Sequence, residues 1–178
     1  IAVLGVGEMG IGNTTTSSAV LSALTGLPVE AVTGRGGGMT DAGFLRKKEV
    51  ITAALALHRP DSGDVLDVLS KVGGLDIAAM CGVFLGAARY RLPAVIDGFI
   101  SVVAALCAVR LQPRTADYLF ASHASHEVGY AAAIQKLGLT PWLHLGMRLG
   151  EGSGCPIAFR VMEAACAAAS DMATFSSA

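Results

Sequence analysis

Short apolar runs that stop at glycine or a polar residue alternate along this chain with longer segments of helical period, and that alternation constrains the fold most. Residues 1–6, 93–96 and 118–121 are the apolar runs, and they read as buried strands. Helical periods follow over 14–24, 41–57, 75–90, 99–110 and 127–137, with a short helix over 62–70 and a last one opening at Pro156. Asn13 or Thr14 suits the first helix as a cap, Asp41 lies near the positive end of the second, and Gly138 ends the helix before it. The order predicts a single α/β domain over residues 1–178, a mostly parallel sheet flanked by helices in a Rossmann-like layered arrangement. Ligands of such folds gather beyond the carboxyl ends of the strands. Gly7-Glu8, Asp97-Gly98 and Ser122-His123 occupy those ends.

Composition narrows the function. Apolar residues are 53% and charged residues 15%, which excludes a disordered chain. The 22 glycines are too many for helix and strand interiors alone, so they imply many tight turns or close backbone approaches, which is where ligands are held. A net charge of −1, with no basic stripe or aromatic ladder, gives no reason to expect a nucleic-acid partner. Cys81, Cys107, Cys155 and Cys166 form no CxxC pair and lie in or beside apolar runs, so they read as reduced core residues of a cytoplasmic protein. No membrane span is expected. The apolar stretch 92–109 is broken by Asp97-Gly98, and residues 158–173 carry Arg160, Glu163 and Asp171, as a packed helix of a soluble protein would. The first residues lack a basic leader and begin inside a strand without Met, as expected of a piece from a longer protein.

Three glycine motifs carry the candidate chemistry. Gly5-Val6-Gly7-Glu8-Met9-Gly10 has the form GxGxxG after a strand, which admits a dinucleotide site or a plain strand-to-helix turn. Glu8 argues against the dinucleotide, because it brings a carboxylate to the place where a pyrophosphate meets backbone N–H groups. Thr33-Gly34-Arg35-Gly36-Gly37-Gly38 can converge N–H groups on an anion, with Arg35, Lys47 or Lys48 adding charge, or it can be a flexible connection. It lacks the GK[ST] ending of a P-loop. Arg148-Leu149-Gly150-Glu151-Gly152-Ser153-Gly154 sets one glutamate among glycines just before a helix. Glu151 there is either a solvated loop residue or a group with room for a ligand. Asp97 either meets a ligand or caps the helix that follows it. His123 and His126 are three apart without an obvious acidic or cysteine companion, so a surface or packing role is expected and no metal site.

Together these motifs resemble the signature of the nicotinate-nucleotide:dimethylbenzimidazole phosphoribosyltransferases. The resemblance rests on Gly7-Glu8-Met9-Gly10-Ile11-Gly12-Asn13-Thr14-Thr15, Gly73-Gly74-Leu75-Asp76-Ile77-Ala78-Ala79-Met80 and Asp97-Gly98-Phe99-Ile100. Asp117-Tyr118, Ser122-His123 and Arg148-Leu149-Gly150-Glu151-Gly152 extend it in the family's order over essentially the whole chain. Gly37 departs from the pattern, since many members carry Thr there. The family's N-terminal half, which supplies part of the benzimidazole pocket, has no counterpart in these residues.

The resemblance implies transfer of ribose 5-phosphate from nicotinate mononucleotide to 5,6-dimethylbenzimidazole, giving α-ribazole phosphate and nicotinate for the lower ligand of cobalamin. By its motif Glu151 matches the family's base and Glu8 a second acidic residue of the site. Gly10, Gly36, Gly37, Lys47, Gly98, Ser125, Leu149 and Gly150 match the positions around phosphate and ribose, and Asp97 stands with them as a substrate-binding candidate. The chemistry asks for little else. Nicotinate leaves from a pyridinium as a neutral ring nitrogen, so it needs no general acid. The attacking benzimidazole becomes cationic unless its opposite N–H is lost, so one carboxylate base is the principal requirement. No cofactor and no metal are expected, and the resemblance implies a homodimer. Two other expectations compete: an NAD-binding oxidoreductase domain using the first glycine motif, or a binding and oligomerising core without activity of its own.

Overall fold

In the computed structural model, which describes residues 2–173 and 175, three short strands form one parallel sheet in the order β1-β2-β3. They are β1 (Leu4–Val6), β2 (Ala94–Ile96) and β3 (Leu119–Ala121), and their registers align Val6 with Ile96 and Ile96 with Ala121. The α/β architecture is as expected. The first strand is shorter than the apolar run 1–6, of which Ile1 lies outside the described residues.

Eight α-helices occupy the described residues: α1 (Asn13–Thr25), α2 (Val29–Val32), α3 (Asp41–His58), α4 (Val65–Val72), α5 (Leu75–Arg89), α6 (Phe99–Leu111), α7 (Val128–Leu137) and α8 (Gly154–Asp171). Strand alternation divides the sheet into two faces. Val6, Ala94, Ile96, Leu119 and Ala121 join the main core with residues of α1, α4, α5, α6 and α7. Val95 faces the other way and packs with Cys155 and Ala158 of α8, beside Phe120 and Phe159. Helix α6 is the centre of the molecule, because every residue from Phe99 to Ala108 is buried.

Several local expectations are corrected. α1 has no side-chain cap: Gly12, in the left-handed region at φ 75°, takes the cap position, and Asn13 is the first helical residue. α2 and a 3₁₀ segment over Pro113–Tyr118 have no counterpart in the sequence reading, since four to six residues are too few to display a period. α8 begins at Gly154, two residues ahead of Pro156. Nor is α8 packed along its length as expected for 158–173. Only Gly154, Cys155 and Ala158 are buried, and the helix is exposed from Val161 onward apart from the half-buried Met162. Cys166 is accordingly exposed, whereas Cys81, Cys107 and Cys155 are buried free thiols. Among the described residues no helix is long and apolar enough to cross a membrane.

Candidate active site

Because the three strands end level, the segments that leave them emerge side by side at one edge of the sheet, where a cleft of about 670 Å³ opens. Glu8 and Gly10 line it after β1, Asp97 and Gly98 after β2, and His123 and Ser125 after β3. The glycine loop contributes Gly34, Gly36 and Gly37, and Leu149, Gly150 and Glu151 close the circle. The three glycine motifs, far apart in sequence, thus face one space.

The turn that carries Glu151 is unusual. Gly150, Glu151 and Gly152 all have positive φ, 75°, 57° and 75°. Left-handed backbone costs a residue with a Cβ about 1–2 kcal/mol, and such strain persists only where the surroundings hold it. Here they do. The Glu151 N–H donates to the Glu8 carbonyl at 3.0 Å, and the Ser153 N–H donates to the Gly150 carbonyl at 3.0 Å. Asp97 accepts from the Gly152 N–H at 3.0 Å with one carboxylate oxygen and from the Gly154 N–H at 2.8 Å with the other. Asp97 therefore caps α8, not the helix that follows it; α6 starts from Gly98 without a side-chain cap. The Glu151 side chain remains exposed at the cleft.

Glu8 is held from the opposite side. Its carboxylate accepts from the Gly10 N–H and from Asn13 Nδ2 at 2.6 Å, and the same Asn13 amide reaches Asp76 at 2.7 Å. The first glycine turn thus spends a backbone donor on its own carboxylate, in the place where a dinucleotide would need it for pyrophosphate.

Lys47 does not line the cleft. It is buried, and its ammonium donates to Thr14 Oγ1 and to the Gly34 carbonyl, both at 2.9 Å, so it stands behind two residues that do line it. Burial lowers its pKa, and the charge of Glu127 works against that shift. Ser18 fastens the same wall by donating to the Val32 carbonyl at 3.0 Å, immediately before the glycine loop. Arg35, at the cleft, pairs with Asp41 and lies 4.8 Å from the centre of the Phe44 ring.

His123 takes the packing role. It is 1% exposed, with Nδ1 3.1 Å from Ser122 Oγ and 3.9 Å from Asp97 Oδ1. Burial lowers its pKa below the ordinary 6.5 despite the Asp97 charge. The unfolded chain then takes up the proton first, so the stability of the neutral ring is complete above 6.5 and is lost as pH falls through the lower, folded value. The melting temperature should therefore drop between about pH 7.5 and about pH 5.5 more steeply in the wild type than in His123→Gln. Equal slopes by calorimetry would disprove this assignment.

Thr14, Phe44, His126, Glu127 and Arg148 also line the cleft, and sequence reasoning does not single them out as site residues. His126 and Glu127 follow the carboxyl end of β3, a position that could have marked them. Phe44 carries no such signal, since it belongs to the middle of an ordinary helical period.

A family model described as Phosphoribosyltransferase matches residues 1–178. The nicotinate-nucleotide--dimethylbenzimidazole phosphoribosyltransferase of Clostridium perfringens (strain ATCC 13124) is 59% identical over 173 residues, 97% of this chain and 48% of the relative. The protein of that name from Desulforudis audaxviator is 55% identical over 175 residues, covering 98% and 50%. The crystal structure of CobT from Thermus thermophilus superposes with a TM-score of 0.92 at 42% identity, over 99% of this chain and 52% of that one. The chain spans about half the length of the curated relatives it matches. With a family pattern matched from end to end and the same fold in a solved relative, this chain belongs to the phosphoribosyltransferase family of the nicotinate-nucleotide:dimethylbenzimidazole type.

Proposed function

We propose that this chain carries the nucleotide-holding and proton-removing part of an enzyme that moves ribose 5-phosphate from nicotinate mononucleotide to 5,6-dimethylbenzimidazole, yielding α-ribazole phosphate and nicotinate for cobalamin assembly. The observation that carries the reading is the Glu151 turn, a strained carboxylate-bearing loop tied to the Glu8 carbonyl at the wall of a glycine-lined cleft. The relatives' names support the choice of substrates.

In this reading the phosphate and ribose lie against Gly10, Gly36, Gly37, Gly98 and Gly150, which permit close backbone approach, and against Ser125 and Leu149. Dimethylbenzimidazole approaches the anomeric carbon from the face opposite nicotinate, so the β-linked donor gives an α-linked product. As the new C–N bond forms and the bond to nicotinate breaks, Glu151 takes the proton from the second benzimidazole nitrogen. Glu8, fixed by Gly10 and Asn13, faces the positive charge that develops on the sugar. Residues 1–178 act as one catalytic unit in the cytoplasm, the acceptor pocket is completed by sequence outside this span, and the working form is a homodimer.

The charge of Lys47 acts on the phosphate from behind the wall it braces. Lys47→Met should raise the dissociation constant for nicotinate mononucleotide about tenfold, or about 1.4 kcal/mol. An unchanged constant by titration calorimetry would remove Lys47 from the phosphate site. The reading as a whole is tested by titrating the chain with nicotinate mononucleotide and with NAD. Preference for the mononucleotide is expected; preference for NAD would replace this proposal with the oxidoreductase one. A product assay with both substrates completes the test.

A further inference from the structure

We infer that Asp97 is a positioning residue that aims Glu151, rather than a group that touches substrate. The inference rests on the proposal that Glu151 is the base.

Asp97 is 2% exposed although it stands at the cleft wall, and both of its carboxylate oxygens are engaged by the two backbone N–H groups at Gly152 and Gly154. Those groups lie one and three residues beyond Glu151, so the carboxylate clamps the strained turn from its C-terminal side while the Glu8 carbonyl holds it at the Glu151 N–H. The clamp also places a negative charge at the positive end of α8, where it is favoured. Its surroundings are shaped around it. A Cβ at Gly154 would meet His123 Nδ1 first, then Ser122 Oγ at 2.6 Å and Asp97 Oδ1 at 2.9 Å, so a glycine there lets the turn come close to all three side chains. Ser122 Oγ, 3.2 Å from the Asp97 carbonyl, braces the backbone of the same residue. The position of Glu151 thereby depends on a residue at the end of β2, the centre of the sheet.

Asp97→Asn tests this, because it keeps the shape but replaces one acceptor oxygen by an amide that confronts a backbone N–H. In the full-length protein, kcat should fall about 10²-fold, the loss that a displacement of about 1 Å brings, while affinity for nicotinate mononucleotide stays unchanged. The double variant Asp97→Asn with Glu151→Gln should be no slower than Glu151→Gln alone, since the clamp acts on turnover through that side chain. Additive losses, or weaker nucleotide binding at unchanged kcat, would overturn the inference and make Asp97 a substrate contact. Near-normal turnover in Glu151→Gln would instead defeat the functional reading beneath it. Should Asp97→Asn not fold, hydrogen exchange in the wild type decides: the Gly152 and Gly154 amides should be protected, and free exchange at both would end the inference.

Discussion

Glu151→Gln should lower kcat by about 10²–10⁴-fold, the range a positioned general base contributes, and leave the dissociation constant for nicotinate mononucleotide unchanged. In free energy this is about 2.7–5.5 kcal/mol of lost transition-state stabilisation. The separation of kcat from binding follows from the geometry. Glutamine has the same shape and keeps the backbone N–H that reaches the Glu8 carbonyl, so the turn and its strain survive. Only the oxygen that accepts the proton loses its basicity. The nucleotide's proposed contacts, the glycines with Ser125 and Leu149, do not include the substituted side chain. Steady-state product formation in the full-length protein, paired with calorimetric titration, checks both halves. Turnover within a few-fold of wild type would refute the role of Glu151, whatever the affinity did.

Gly7→Ala should be the most damaging single methyl in the site. The added carbon would sit 2.5 Å from the Gly152 Cα and 2.6 Å from its nitrogen, and both are backbone atoms that cannot rotate away. Either β1 withdraws from β2 or the Glu151 turn is pushed out of the cleft. Overpacking of this kind costs about 1–3 kcal/mol, and at this chain length each kcal/mol lowers the melting temperature by about 2–4 °C. Because the displaced element carries the proposed base, the activity loss should exceed what reduced stability explains. Calorimetry and turnover measured well below the melting temperature separate the two effects. A wild-type melting temperature with full turnover would show that the two glycines do not need this approach.

The alternation of strand and helix was legible because it is local. Runs of four to six apolar residues and helical periods of ten or more identify themselves, and the strand ends then pointed to Glu8, Asp97 and His123 before any geometry was known. The ends of elements were less legible. Asn13 has the chemistry of a cap, yet its amide is drawn to the nearby Glu8 and to Asp76, the second partner arising only where the first turn of α5 meets that of α1. The alanine-rich stretch 158–173 read as a packed helix, but α8 touches the sheet with its first turns alone. Composition states what a helix can bury, not what it finds to bury against.

Residue types and their order were enough to indicate the α/β class, the glycine-rich character of the cleft and three of the acids that line it. Tertiary structure decided the partners. It turned Asp97 from a neighbour's cap into the clamp of a helix beginning 57 positions away, hid Lys47 behind Thr14 and Gly34, and brought Glu151 to the Glu8 carbonyl. The reason is range: caps, periods and turns act across about four residues, whereas these contacts arise where the carboxyl ends of parallel strands meet.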